Sequence, residues 1–122
     1  MIVLRDPDEP RPDLDVEVRA APGTVESAVF FPQRSFRMLG LKVAGPEENA
    51  LRWCVRQIWV GLEKQIVGGA DVPLSVLLSR PGSPALLLPA IRVGQSIRIE
   101  LVNTDTRWRT LMLKLLGEEL RE

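Results

Sequence analysis

Histidine is missing from this chain, and so is tyrosine. Without an imidazole the commonest general base and the commonest transition-metal ligand are gone. Neither a Ser-His-Asp nor a Cys-His arrangement can be built within one chain. The single cysteine, Cys54, excludes an intramolecular disulfide and falls short of a metal site. Set between Trp53 and Val55, with no His or Lys beside it to draw out a thiolate, it reads as an ordinary small packing residue. No apolar run approaches the ~18–20 residues of a membrane-spanning helix. The start, Met1-Ile-Val-Leu-Arg-Asp-Pro, turns charged and proline-rich after a few apolar residues, which is not a secretory signal. Sixteen basic residues balance sixteen acidic ones, and a neutral total argues against binding nucleic acid through a basic surplus. A phosphate-cradling loop is missing too, since Gly68-Gly69 lacks the following Lys-Ser/Thr.

What is present is a globular composition, 45% hydrophobic over 122 residues, enough for one domain with its own core. Arg far outnumbers Lys, a bias open to three readings: codon composition, a hot habitat, or interfaces where guanidinium meets carboxylate. Carboxylates that could form an acid–base pair are Asp15 with Glu17, Glu47 with Glu48, and Glu100 with Asp105. Each lies beside a turn or on a polar strand face, where solvated charge is the simpler reading.

The strongest pattern is Pro89–Gly117. Ile97, Ile99 and Leu101 alternate with Arg98 and Glu100, and Leu111, Leu113 and Leu115 alternate with Thr110, Met112 and Lys114. That period of two marks half-buried strands, and Asn103-Thr-Asp-Thr between them favours a turn, so the stretch reads as a hairpin. Upstream, Leu14, Val16 and Val18 alternate with charged residues, and Val25–Phe31 continues the extended pattern after the Pro22-Gly23 turn.

Ser35–Val43 is apolar on both faces, Phe36 and Met38 on one and Leu39, Leu41 and Val43 on the other, with Gly40 marking a bulge or a close approach. Leu51–Val60 places Trp53, Val55 and Trp59 on one strand face. A helix entered at Pro46-Glu-Glu-Asn would instead align Leu51, Val55, Ile58 and Leu62, but β-branched and aromatic content favours strand. Leu62–Val67 is a hairpin return, Val72–Ser79 a further strand, and Glu118–Glu122 a charged terminus.

The expected fold is therefore all-β: an antiparallel β-sandwich, jelly-roll-like or cupredoxin/Ig-like, of about eight strands. Residues 1–13 form an extended, proline-rich amino-terminal arm and residues 14–122 a single sandwich domain. The apolar tip Ile2, Val3 and Leu4 gives the arm something to bury on its own domain or on a neighbouring subunit. Trp53 and Trp59 read as core or interface volume. Arg107, Trp108 and Arg109, at a strand entrance, could stack on a ligand or partner.

Two resemblances add to this. The run Ile91-Arg-Val-Gly-Gln-Ser-Ile-Arg-Ile-Glu-Leu-Val-Asn-Thr104 resembles the cupredoxin pattern, but a chain without His cannot hold blue copper, so only the sandwich topology carries over. Ser35-Phe-Arg-Met-Leu-Gly-Leu41, Ala85-Leu-Leu-Leu-Pro-Ala90, Leu101-Val-Asn-Thr104 and Leu115-Leu-Gly117 resemble, in order, small single-sandwich virion proteins of tailed bacteriophages. This implies a capsid-associated, neck or tail subunit, located in the virion and otherwise cytoplasmic.

The expected function is accordingly non-enzymatic: structural assembly through protein contacts with copies of itself or other virion proteins. No cofactor, metal, nucleic acid or membrane is expected, and the candidate contact residues are Ile2, Val3, Leu4, Arg107, Trp108 and Arg109. The alternative is a carbohydrate-binding module using the tryptophans and the Asn103–Asp105 turn.

Overall fold

A computed structural model describes residues 2–4, 11, 13–82 and 84–120, and of residues 2–4 the backbone alone. Among the described residues, nine strands follow one another. They are β1 (Ile2–Leu4), β2 (Asp15–Ala20), β3 (Val25–Phe30), β4 (Phe36–Val43), β5 (Trp53–Val60), β6 (Glu63–Lys64), β7 (Val72–Pro73), β8 (Ile97–Asn103) and β9 (Arg109–Leu120). They make two antiparallel sheets packed as an all-β sandwich. In the first, β2 and β1 lie end to end along one edge of β9 and β4 lies along the other. In the second, β8 runs between β3 and β5, with β6 and β7 beyond β5.

The middle strands of the two sheets supply the centre of the core: Ile97, Ile99 and Leu101 from β8, Leu111, Leu113 and Leu115 from β9. Trp53, Phe30 and Phe36 fill the volume around them. Burying each such side chain stabilises the fold by roughly 1.5–3 kcal/mol before conformational entropy is subtracted. Among the described residues, no helix is long and apolar enough to cross a membrane.

The expected hairpin over Pro89–Gly117 is an arch. Both strands have the expected phase, but β8 and β9 belong to different sheets and share no ladder. Strand alternation cannot separate these cases, because the same side chains turn inward whether two strands pair edge to edge or face each other across a sandwich. A tight hairpin does occur at β5–β6, where Gly61 (φ 61°) takes the first central position of the turn.

Two strands change phase part-way. The β5 register slips between Val55 and Gln57. Ile58 and Val60 thereby join Trp53 and Val55 on the buried face, and Trp59 turns outward. Trp53 and Trp59 do not share a face, because the bulge breaks strict alternation. A bulge between Met38 and Gly40 does the same for β4, at the glycine expected to mark one. Phe36, Met38, Leu41 and Val43 all point into the core, so the two-faced apolar pattern is one buried face with a slip in it. A Cβ at Gly40 would overlap Ser79 Oγ.

Val72–Ser79 was expected as a strand, but it pairs with β5 only at Val72–Pro73 and then makes one helical turn, Leu74–Leu77. Pro73 has no N–H to extend a ladder, and its fixed φ suits the entry to a helical turn. The irregular chain that follows covers the outer edge of β4. Ser79 and Leu86 donate their N–H groups to the carbonyls of Leu41 and Leu39, and Ile91 and Phe36 bond each other reciprocally. The helix signal at Pro46 is met by a single 3-10 turn, Glu47–Ala50, before β5 begins. At the far end the ladder runs on to Leu120 where a charged terminus was expected, with Glu119 buried.

Candidate functional site

The arch between β8 and β9 is built on Asn103, whose polar side chain is fully buried. Its Nδ2 donates to the carbonyls of Ala20, at the end of β2 (2.9 Å), and of Arg107 (2.8 Å). Its Oδ1 accepts from the Asp105 N–H at 2.9 Å. All three bonds hold backbone that would otherwise be orphaned as the chain leaves one sheet for the other. Thr104 adds two bonds from its N–H and Oγ1 to the Arg52 carbonyl, at 2.8 and 2.9 Å.

Asp105 then accepts from the Thr106 N–H (2.7 Å) and from Arg109 Nε (2.5 Å), with Arg109 Nη2 completing a forked contact. The Arg109 hydrogen bond, followed by the Thr106 N–H, holds the Asp105 carboxyl below its ordinary range.

On this clamped ribbon Trp108 is 59% exposed. The Arg19 guanidinium of β2 lies 4.8 Å from its ring centroid, a cation–π distance. Arg107 and Arg52 are exposed, and Arg52 lines a shallow depression with Glu48, Leu51 and Arg109. The expected trio Arg107, Trp108 and Arg109 is exposed at the arch, with Arg109 turned to Asp105 and Arg19 of β2 against the Trp108 ring. Arg19 was not expected there, since only the β2–β9 register brings it in.

The other expected contact residues are elsewhere. The backbone of Ile2, Val3 and Leu4 pairs with Leu120, Glu119 and Glu118, at the opposite end of β9. Their side chains, and residues 5–10 of the arm, lie outside the described residues. That end is held by Arg11, which bonds Asp13 Oδ2 at 2.9 Å and Glu119 Oε1 at 2.5 Å. Asp13 also accepts from the Gln33 N–H at 3.1 Å. Burial pushes the Asp13 carboxyl up, but hydrogen bonds from Arg11 and Gln33 outweigh it and leave it below its ordinary value. Its partner Arg11 is held above the usual guanidinium range, first by Asp13, against the cost of burial, and then by Glu119.

The three tryptophans are dispersed. Trp53 is in the core. Trp59 lies on the outer face of the second sheet, its Nε1 donating to Glu100 (2.6 Å) and its ring flanked by Arg98 (4.9 Å) and Lys64 (5.0 Å). Those cations occupy the surface a stacking ligand would need.

Of the six acids considered as catalytic pairs, one member of each of the first two and both of the third have other partners. Glu47 pairs with Arg80, Glu100 with Trp59, Asp105 with Arg109, and Asp15 accepts from the Arg11 N–H. Cys54 is half-buried, with its thiol pushed up first by burial and then by Asp71. Among the described residues, no group of three or more Cys, Asp or Glu is placed to hold a metal ion. Comparison of the chain with protein-family models, curated proteins and solved structures found no match.

Proposed function

We propose that this chain is a non-enzymatic assembly protein that works through protein–protein contacts, and that it is a virion component of a tailed bacteriophage, capsid-associated or in the neck or tail. The observation that carries the contact reading is Trp108: a large aromatic left 59% exposed on a ribbon whose backbone is fixed by Asn103 and Thr104. Aromatic residues and arginine are the side chains that dominate binding at protein interfaces. A rigid support lowers the ordering cost of using them. The virion assignment rests on the sequence resemblance over Ser35–Gly117.

The test is a photo-crosslinking amino acid placed at Trp108 in the full chain, expressed with its native gene neighbours. Cross-linking to a second copy or to a particle protein is expected, with terminase, portal or tail genes adjoining its own. A glycan array with hits that Trp108→Ala abolishes would replace this reading with the carbohydrate-binding one.

A further inference from the structure

On the outer face of the second sheet, Arg98 of β8 stands between Val29 of β3 and Trp59 of β5. We propose that Arg98 anchors a binding site for a small apolar monocarboxylate. The site lies at the opposite end of β8 from Asn103 and the Trp108 corner, and it does not depend on the assembly reading.

Arg98 is half-buried, and its Nε is enclosed without a hydrogen-bond acceptor. Its guanidinium lies 4.9 Å from the Trp59 ring centroid. No acid among the described residues pairs with it. Glu100, two residues along the same face, is turned to Trp59, whose Nε1 donates to it at 2.6 Å. Drawing a guanidinium part-way out of water without an acceptor is unfavourable, and a cation–π contact offsets only part of that cost. A guanidinium meets a ring with its face and a carboxylate with its edge. The Trp59 contact therefore leaves the two Nη groups to fork onto an anion.

The surroundings say which anion. Arg98, Trp59, Val29, Gly61, Leu62 and Ser96 line an open depression of about 290 Å³, at the small end of ligand pockets. None of the six is acidic. Ser96 supplies a hydroxyl, and Val29, Leu62 and the Trp59 ring supply apolar wall. Leu62 is 94% exposed, yet its hairpin tip is fixed, because the Gly61 N–H donates to the Ser96 carbonyl at 2.9 Å. A leucine held out on a fixed tip gains by being covered, at little ordering cost.

One guanidinium fork, one hydroxyl and apolar walls fit a single carboxylate carried on a small branched-aliphatic or aromatic body. A phosphate-rich partner would call for more cations. The other cation at the ring, Lys64, comes from β6 on the far side of β5 and does not line the depression.

Heteronuclear NMR on the full chain, at one fixed low protein concentration, tests this by titration with 4-methylpentanoate and, in parallel, with the uncharged 4-methylpentanamide. The acid is expected to shift the Trp59 indole N–H and the Gly61, Leu62 and Ser96 amides, with a dissociation constant of about 1 mM for so small a ligand. The amide should bind about tenfold more weakly. Arg98→Met keeps a stem against Trp59 and has no hydrogen bond to lose. It should weaken the acid by about tenfold and leave the amide as it was. Leu62→Ser, at a position too exposed to matter for folding, should weaken both by about threefold. An amide that binds as well as the acid, or an acid that binds Arg98→Met as well as the wild type, overturns the proposal. Acetate binding as tightly as 4-methylpentanoate overturns it too, since the apolar wall would then contribute nothing. So do shifts centred on other residues, or none at about 20 mM acid, far above that dissociation constant.

Discussion

At one end of β9, Glu119 is 7% exposed and meets Arg11 at 2.5 Å. At the other, Arg109 meets Asp105 on a solvent-washed corner, with an exposed tryptophan next to it. The same two kinds of side chain are used for opposite purposes. Near Glu119 the charges have lost water and must satisfy one another: Arg11 bridges Asp13 and Glu119, while Arg34 stands 3.8 Å from Glu119. Such a cluster adds little net stability when complete, but losing one member leaves an uncompensated buried charge. On the corner Arg109 is 45% exposed, although Asp105 keeps only 13% of its side chain in water, so the pair is screened mainly from the arginine side and serves to shape the loop. Charge thus closes the sandwich at one end, while at the other it stays at the surface.

The sharpest way to break that contrast is Arg11→Met. It leaves Glu119 buried without its main partner and is expected to cost about 3 kcal/mol in urea unfolding, whereas Arg107→Met should move the midpoint by less than ~0.5 kcal/mol. Equal effects would mean the two ends are not different in kind. Asn103→Ala comes next at about 2 kcal/mol, because it orphans the Ala20 and Arg107 carbonyls and the Asp105 N–H. It should also raise amide exchange across residues 104–108, which Asn103→Asp would repair only in part.

Acid gives a smaller and more gradual effect. Asp13 titrates below its ordinary 3.8 in the folded chain. Its contribution is therefore complete above that ordinary value and is lost as pH falls through the lowered one. Melting temperature should decline below about pH 4, and Asp13→Asn should flatten that decline. An unchanged slope would show that Asp13 is not coupled to folding. A small stability effect is also expected of Trp108→Ala, at most ~1 kcal/mol for a lost cation–π contact. Its effect should appear in association instead.

The sequence carries the strands of this fold better than their partners. Alternation at Ile97–Leu101 and Leu111–Leu115 marks two buried faces, and both are there. Whether those faces belong to one ladder or to opposed sheets is a long-range matter that a local period does not record. Trp59 was misplaced for a related reason. A one-residue slip near Arg56 reverses every later side chain, and nothing in Val55-Arg56-Gln57 resembles the glycine that betrays the β4 bulge at Gly40.

At the candidate site, Arg107-Trp108-Arg109 stands out in the sequence because three large exposed-type residues follow a polar turn. Arg19 does not stand out, since it arrives through pairing of residues far apart in the chain. The clamp by Asn103 was anticipated only as a turn. That its amide would be fully buried and bonded to two carbonyls follows from the arch, which brings Ala20 alongside.

Amide hydrogen exchange on the full wild-type chain, compared between a dilute and an associating concentration, tests most directly the claim that the corner is the contact surface. The account predicts added protection in peptides covering residues 104–110, with the outer face around Trp59 unchanged. Protection that appears around Trp59 while residues 104–110 stay unchanged would contradict it.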